Sequence, residues 1–348
     1  MGNLLEYSGI MTKIRGMEAK LLTPEQFTDI ANLGSVPEIV DYLRKNTAYA
    51  DVLEPLEEEQ LHRGNIEKVL IQSLYRDYTK IYRFCGQKQR RFMKLILKNY
   101  EIDLINYCLR IVINHYRQPF DLNYKRAFFD RYSQISIEKL IMSRTTDELV
   151  ENLKGTEYYT PLKKLKDSQD VTLYDYNLTL DLYFFTSTWR EQKKILKKAD
   201  LELFMRDRGS KIDLLNLQWI YRAKKYYNMK PADIYLMLIP IHYKLSTDLV
   251  KELVEADGLE AFEAAVSKTS YARHYNFRQN LTIEQMYADC LHHLYTVDRR
   301  RDPYSLAAIN TYLFLKEEEI NKLTTAMECV RYQLSPGETL AYVGGKTQ

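Results

Sequence analysis

Glycine and proline are scarce in this sequence of 348 residues. The 12 glycines and 9 prolines together number 21, whereas average usage of about 7% and 5% would give roughly 42. β-Sandwiches, barrels and glycine-rich doubly wound folds need a turn about every 8 to 12 residues. The shortage of turn residues therefore argues against those folds and favours an all-α fold of long helices. Apolar residues make up 45% of the sequence, enough for a buried core.

Cysteine, net charge and long apolar runs are limited as well. The four cysteines lie far apart with no Cys-x-x-Cys, at positions Cys85, Cys108, Cys290 and Cys329. This spacing argues against a disulfide framework and a zinc site, and it predicts a reducing, cytosolic setting. The 50 basic and 47 acidic residues leave a net charge of only +3, without the one-signed patch that is typical of nucleic-acid-binding domains. The longest uncharged run, 303–315, is 13 residues long, against about 18 for a bilayer span, so we expect a peripheral position for any work at a membrane.

Motifs of enzymes are missing too. The sequence has no His-Glu-x-x-His, Gly-x-Ser-x-Gly or Gly-x-Gly-x-x-Gly, and we expect no cofactor. The Gly-Lys-Thr of 345–347 resembles the end of a phosphate loop, but Leu340 stands where that loop needs glycine. Asp289 and His292 can share a helical face, which leaves a metal-dependent helical hydrolase open as an alternative. Because the adjacent His293 would point about 100° away on a helix and no fourth ligand follows, we favour structural histidines.

Self-similarity at a long interval is present instead. Glu38, Glu148 and Glu260 are 110 and 112 residues apart. Each has a tyrosine eleven positions later, namely Tyr49, Tyr159 and Tyr271. A fixed interval of this kind indicates repeated structural units. We predict three helical units of about 110 residues, at 1–120, 121–240 and 241–348.

A second element repeats in step with the glutamates. Asp103 and Asn106, in Ile-Asp-Leu-Ile-Asn, return 110 residues later as Asp213 and Asn216, in Ile-Asp-Leu-Leu-Asn. This spacing puts a carboxylate and an amide on one helix face, and Arg222 follows the second pair. The pairs form either a polar inner surface or a set of interhelical hydrogen bonds.

The repeated glutamates have a local explanation as helix caps. Ser35, Thr145 and Asp257 stand three residues before them, the spacing of a capping box. This role is favoured over carboxylate catalysis for Glu38, Glu148 and Glu260, because capping needs an acid there for a purely local reason. A further box is predicted at Thr23–Gln26, and long helices are predicted at 56–84, 172–199 and 304–333.

Tyrosine is the one residue type in clear excess. It supplies 29 of the 43 aromatic residues. Its apolar ring and polar tip suit half-buried helix interfaces and surfaces that meet partners, so we interpret the excess first as helix packing and second as partner contact.

Several strings resemble the C subunit of the bacterial and archaeal V/A-type ATPases, the counterpart of the d subunit of the eukaryotic vacuolar pump. The middle of the chain is the most specific part: Asp213-Leu-Leu-Asn216-Leu, Arg222-Ala-Lys224, Leu-Ile-Pro at 238–240 and Leu-Ser at 245–246. Near the C-terminus, Tyr-Leu-Phe-Leu-Lys-Glu-Glu-Glu at 312–319 is similar to the family's Tyr-x-x-x-Lys-Glu-x-Glu. The chain departs from the family pattern at Ile241-His242, where glycines are usual, and after Glu319.

The resemblance implies three similar helical domains around a pseudo-threefold axis, forming a funnel. It also implies a non-catalytic socket on the cytoplasmic end of the membrane rotor ring, at a bacterial or archaeal plasma membrane, that receives the D and F subunits of the central stalk. The membrane stator is a further candidate partner. On this basis we expect Asp103, Asn106, Asp213, Asn216 and Arg222 to line or brace the funnel. The alternative is a free-standing helical-repeat adaptor that binds a peptide or helix.

Overall fold

A computed structural model describes residues 2–116, 120–166, 171–196, 198–272 and 283–343. All regular structure in these ranges is helical, and no strand is found among them, so the predicted all-α class is confirmed. The α-helices of these ranges are α1 (Gly2–Glu18), α2 (Pro24–Ala31), α3 (Val36–Asn46), α4 (Ala50–Leu53), α5 (Arg63–Phe84), α6 (Gln87–Ile113), α7 (Asn123–Tyr132), α8 (Ile137–Ile141), α9 (Thr146–Asn152), α10 (Tyr159–Lys166), α11 (Leu173–Ile195), α12 (Lys198–Tyr227), α13 (Pro231–Met237), α14 (Thr247–Glu255), α15 (Gly258–Ser267), α16 (Ile283–Arg301), α17 (Leu306–Arg331) and α18 (Pro336–Val343).

The three predicted long helices correspond to α5, α11 and α17, within a few residues at each end except at the start of α5. The two longest helices, α6 with 27 residues and α12 with 30, were not predicted. Both have buried residues on several sides, for example Leu95, Ile96 and Leu97 in succession on α6. A helix surrounded by protein carries no single apolar stripe, so its period is hard to detect in the sequence.

The predicted box at Thr23 is confirmed, and in the first two copies the serine or threonine half of the predicted box is present. Thr23 and Gln26 form the reciprocal capping box. Thr145 accepts the Glu148 backbone N–H at 3.2 Å, while the Glu148 carboxylate accepts the N–H of Arg144 at 2.7 Å. Ser35 and Glu38 form the same pair of bonds, with the Gly34 N–H as the donor to the carboxylate. In these two copies the glutamate therefore reaches one residue further back than in a standard box.

The third copy lacks the predicted cap. Asp257 precedes α15, but its side chain accepts no backbone N–H, and Glu260 is exposed. The backbone at Asp257 is extended, as a helix cap requires, but the next residue, Gly258, has a left-handed φ of +84°. No side-chain cap forms at this helix start, so the predicted capping role of Glu260 is corrected.

Contacts between residues divide the chain into two compact units, at boundaries other than 120 and 240. Unit 1 combines Met1–Gly86 with Asp302–Gln348, and unit 2 is Gln87–Arg301. The division into three units stays a prediction, although the helix order inside the units bears on it.

One arrangement of helices occurs twice in unit 2 and once in unit 1. In unit 2, the described residues form four short helices between α6 and α11, and α11 packs back on α6. They form three short helices between α12 and α16, and α16 packs on α12. In unit 1, α17 packs on α5, with α18 and α1–α4 as the accompanying shorter helices. The repeated motif is thus a pair of long helices, and in unit 1 its two members come from opposite parts of the sequence.

Candidate partner-binding surface

At three places a buried tyrosine that follows a short helix donates a hydrogen bond from its hydroxyl to a buried carboxylate of a long helix. The three bonds are Tyr49 to Glu319 on α17 at 2.6 Å, Tyr158 to Glu101 on α6 at 2.6 Å, and Tyr271 to Asp213 on α12 at 2.7 Å. We call these the tyrosine–carboxylate centres. Each tyrosine lies shortly after one of the short helices begun by Ser35, Thr145 or Asp257. The repeated tyrosines therefore fasten a short-helix segment to a long helix.

The second centre uses a different tyrosine from the one predicted. Tyr158 is 2% exposed and binds Glu101, whereas the hydroxyl of Tyr159 bonds to Glu151 at 3.1 Å on the surface. Burial raises the pKa of Glu101, and hydrogen bonds from Tyr158 and Ser133 oppose that rise. The buried member of the tyrosine pair is the structural equivalent of Tyr49 and Tyr271.

Asp213 holds the third centre together with four hydrogen bonds. Its carboxylate accepts the backbone N–H groups of Tyr243, Lys244 and Leu245 at 3.1, 2.7 and 3.2 Å, in addition to the Tyr271 hydroxyl. Burial raises the pKa of Asp213, and these hydrogen bonds oppose the rise. The side chain is fully buried, so its partners in this structure are all internal to unit 2.

Asn216 fastens the same loop one helical turn further along α12. Its side-chain amide donates to the Ile239 carbonyl and its carbonyl accepts the Ile239 N–H, each at 3.0 Å. The loop lies close to α12 because Gly209 leaves room for it: a Cβ at Gly209 would lie 2.5 Å from Cγ of Tyr243. Of the two roles predicted for Asp213 and Asn216, these contacts support bracing over lining.

Asp103 and Asn106 have surroundings unlike those of Asp213 and Asn216. Asp103 is exposed, and its closest polar contact is the Asn99 amide at 3.4 Å. Asn106 is half-buried, and its Oδ1 has no hydrogen-bond partner among the described residues. The equivalent of Asp213 on α6 is therefore Glu101, two residues before the position that the repeat of 110 indicated.

A groove between α11 and α12 provides an accessible surface in unit 2. It has a volume of about 630 Å³. Its walls are Tyr174, Asn177, Leu178 and Asp181 from α11, Trp219, Arg222, Ala223 and Tyr227 from α12, and Met229 and Met237. The α11 residues are spaced as one helix face. Tyr174 is 53% exposed and Tyr227 is 70% exposed, so large aromatic rings stand open to solvent there.

Asp181 of this groove also feels the charges of Asp103 and Lys211. Burial and the negative charge of Asp103 raise the pKa of Asp181 to about 6, with Lys211 opposing the rise. Burial also raises the pKa of Asp103 itself, although the side chain is accessible. The exposed Asp103 and Arg222 of the predicted set therefore both adjoin Asp181, whereas Asp213 and Asn216 are closed off.

The model of the ATP synthase (C/AC39) subunit family matches residues 10–342. The chain belongs to the ATP synthase (C/AC39) subunit family. Similar curated proteins include the A-type ATP synthase C subunit of Thermococcus kodakarensis, which is 25% identical over 346 residues, 97% of this chain and 90% of that protein. The C subunit of the Methanocaldococcus jannaschii A-type ATP synthase is 26% identical over 276 residues, 78% of this chain and 67% of that protein. The Pyrococcus horikoshii C subunit is 24% identical over 366 residues, covering 97% and 90%.

The C/AC39 match confirms the resemblance and the interpretation of the chain as a subunit of a rotary ATP synthase rather than its catalytic subunit. The structure also explains why the strings that carried the resemblance belong together. Asn216 binds the backbone of Ile239, in the Leu-Ile-Pro string, and Asp213 binds the backbone of 243–245, whose last residue, Leu245, begins the Leu-Ser string. These strings, separate in the sequence, are therefore joined in the fold by hydrogen bonds between α12 and the loop that follows it.

The candidate metal residues and the Gly-Lys-Thr string of this C/AC39 chain lie towards its C-terminal end. Asp289, His292 and His293 are exposed on α16, and within the described ranges no three His, Cys, Asp or Glu side chains are grouped so as to hold a metal ion. The Gly-Lys-Thr of 345–347 lies outside the described residues. A search of the described helices found none long and apolar enough to cross a membrane.

Sequence reasoning missed Glu101 and Glu319 as the equivalents of Asp213, and it missed the groove. A signal for the acids was present. Lys98 precedes Glu101 by three residues, as Lys316 precedes Glu319, and Ser210 takes that place before Asp213. The groove had no comparable signal, because its residues come from two helices that only the fold brings together.

Proposed function

We propose that this chain is the non-catalytic central-rotor subunit of a V/A-type ATPase or ATP synthase, a socket that couples the D and F subunits of the central stalk to the membrane rotor ring. The family match over 10–342 supports this assignment, as do relatives named as the C subunit of A-type ATP synthases. The proposal includes a peripheral position at the cytoplasmic face of the membrane. It covers both ATP-driven ion transport and ATP synthesis.

The observation that carries the docking role is the aromatic groove between α11 and α12. Exposed aromatic and methionine side chains in a concave site are typical of surfaces that bind protein partners. A groove between two helices suits a partner helix, whose side chains at every third or fourth position fill it. We assign the groove and the adjoining Asp103 and Arg222 to stalk contact.

Torque transmission also needs a body that does not deform under load. The tyrosine–carboxylate centres hold the short helices against the long helices. The two hydrogen bonds between the Asn216 side chain and the Ile239 backbone hold the following loop in the same way. Close packing then makes each unit resist deformation. Asp213 and Asn216 serve the socket by bracing it, while Asn106, half-buried beside Asp103 on α6, is assigned to the contact surface.

Tryptophan fluorescence provides a direct test. The chain has two tryptophans, so a Trp189→Phe variant leaves Trp219 as the only one, and Trp219 lines the groove. Titration with the purified pair of stalk subunits is expected to shift Trp219 emission saturably. Arg222→Glu and Tyr227→Ala are each expected to weaken binding at least tenfold.

Lys164→Glu is the matched control, because Lys164 is exposed on α10 of the same unit and does not line the groove. It should bind the stalk pair as the parent does. Equal binding by all three variants would contradict the assignment of the groove. Failure of the parent to bind, together with failure to co-purify with the rotor ring from detergent-solubilised membranes, would favour the free-standing adaptor.

A further inference from the structure

Unit 1 contains a cavity of about 530 Å³ that the proposed socket function does not use. Its walls come from α1, from α5, from the segment around Tyr49 and from α17. Sites for small molecules typically have volumes of about 300 to 1,000 Å³. The cavity is thus large enough for a small ligand.

Positive charge dominates the lining of this cavity. Five cationic side chains face two carboxylates: Lys13, Lys20, Arg76, Lys80 and Lys316 against Asp51 and Asp77. Asp77 already accepts bonds from the Tyr312 hydroxyl at 2.6 Å and from Lys80 at 2.9 Å. Among the described residues no carboxylate lies within ion-pair distance of Lys13, Lys20 or Arg76. In a chain of nearly balanced charge, this lining selects for an anion.

A fixed cation stands at the inner end of the cavity. Lys316 is 6% exposed, and its ammonium group donates to the Tyr49 hydroxyl and to Glu319, the latter at 2.9 Å. A lysine ammonium group has three donors, so one is left for a ligand. Because its two bonds hold the group in place, little side-chain freedom is lost when a ligand binds.

Two glycines of α1 leave the cavity wall on that side without side chains. Gly9 and Gly16 both line the cavity and lie two helical turns apart on one face. Glycine inside a helix is destabilising relative to alanine. A Cβ at Gly16 would meet nothing within 4 Å, so packing does not account for this glycine. The absence of a side chain at Gly16 instead leaves space in the cavity.

The equivalent centre in unit 2 adjoins a smaller cavity, of about 350 Å³, in which carboxylates lie beside the lysine. There Lys98 donates to Glu157 and to Glu191, each at 2.7 Å. Glu157 directly precedes the buried Tyr158 of its centre, and the residue that directly precedes Tyr49 is Ala48, which lines the cavity. Unit 2 therefore supplies a carboxylate of its own beside the lysine, whereas unit 1 has the methyl group of Ala48 and a larger cavity, of about 530 Å³ against about 350 Å³.

We propose that the cavity of unit 1 binds a phosphate-bearing anion, which takes the place that Glu157 fills in unit 2. Several cations around one cavity match an anion of more than one charge, and arginine and lysine are the usual partners of phosphate. The ligand is either a free phosphorylated molecule or the phosphate of a lipid headgroup.

Binding is tested on the full chain by calorimetric titration with pyrophosphate at low ionic strength, where screening of the outer lysines is small. A parallel arm measures co-sedimentation with phosphatidylcholine vesicles that contain or lack phosphatidic acid. Saturable binding of pyrophosphate identifies a free ligand. Binding only to the vesicles with phosphatidic acid identifies a headgroup.

Two variants close the cavity in different ways. Ala48→Glu supplies the missing carboxylate beside Lys316, and Gly16→Leu places a side chain in the open space. Each is expected to weaken binding at least tenfold in whichever arm shows it. Lys45→Gln, at a lysine 75% exposed on α3 of the same unit, should bind as the parent does, and circular dichroism should show equal helix content in all variants.

The proposal is overturned if the parent chain binds neither probe. It is equally overturned if Ala48→Glu and Gly16→Leu both fold and bind like the parent, because the anion would then be held by surface charge elsewhere. Neither result affects the stalk titration of unit 2, so failure of this site and failure of the socket function are distinguishable.

Discussion

Asp213 and Asp103 stand in nearly the same local sequence, Ile-Asp-Leu, yet their surroundings are opposite. Asp213 is buried under four hydrogen bonds, and Asp103 is open to solvent with one weak contact. On α6 the buried position is taken by Glu101, two residues earlier. Two residues rotate a helix position by about 200°, which moves a side chain from the inner face to the outer one. A repeated local sequence thus does not establish that the repeated side chains have the same structural surroundings.

The largest expected difference between the two aspartates is in stability. Asp213→Ala removes an acceptor from three loop N–H groups and from Tyr271, and is expected to lower the free energy of unfolding by about 3–5 kcal/mol. Asp103→Ala should change it by no more than about 0.5 kcal/mol. Urea unfolding followed by circular dichroism measures both. Similar losses for the two variants would contradict the contrast.

A second test removes single hydroxyl groups from neighbouring tyrosines. Tyr158→Phe leaves a buried oxygen of Glu101 without its donor, at an expected cost of about 1.5–3 kcal/mol. Tyr159→Phe loses a surface bond to Glu151 and should cost less than about 0.5 kcal/mol. The same unfolding experiment applies, and a larger effect for Tyr159→Phe would show that the two tyrosines have been assigned the wrong way round.

A third test approaches the Asp213 centre from the other side of the loop. In Gly209→Ala the new Cβ would lie 2.5 Å from Tyr243 Cγ, so overpacking should outweigh the gain in helix propensity and cost about 1–2 kcal/mol net. Gly16→Ala, which meets nothing within 4 Å, should instead stabilise by about 0.5 kcal/mol. We expect a lower melting temperature for Gly209→Ala and a higher one for Gly16→Ala. A rise for both variants would contradict the close approach of Tyr243 to Gly209.

The smallest expected effect is the pH dependence of stability that comes from Asp181, the neighbour of Asp103. Because the pKa of Asp181 is raised to about 6, the folded chain binds more protons there than the unfolded chain between pH 4 and 6. The Asp181 contribution to stability therefore falls as pH rises through that interval. The full effect of a pKa rise from 3.8 to about 6 would be near 3 kcal/mol, and solvent at this half-buried side chain reduces it to about 1 kcal/mol.

Asp181→Asn should remove that dependence, so that the difference in unfolding free energy between variant and parent changes by about 1 kcal/mol from pH 4 to pH 6. Asp103→Asn should reduce it in part, by taking away a neighbouring negative charge. Parallel pH profiles for parent and Asp181→Asn would show that Asp181 is not in the surroundings described.

Sequence reasoning was most successful where structure is local. The Thr23–Gln26 box and the helix start at Thr145 depend on residues three apart, and the shortage of glycine and proline sufficed for the fold class. It was least successful where partners are distant along the chain. Asp213 was identified as important, but its bonds to 243–245 and Tyr271 arise only after α12 and the following loop have packed together. The cavity facing Ala48 could not be predicted, because an alanine indicates nothing until its counterpart, Glu157, is known.

The composition of unit 1 from Met1–Gly86 and Asp302–Gln348 has a consequence for synthesis on the ribosome. Helices α1–α5 emerge first, but α17, which supplies Glu319 to Tyr49 and packs on α5, follows only after the 215 residues of unit 2. At about 5–20 residues per second the wait is roughly 10 to 40 s. During that time the apolar faces of α1 and α5 lack their main partner, so unit 1, although its sequence starts first, completes its fold last.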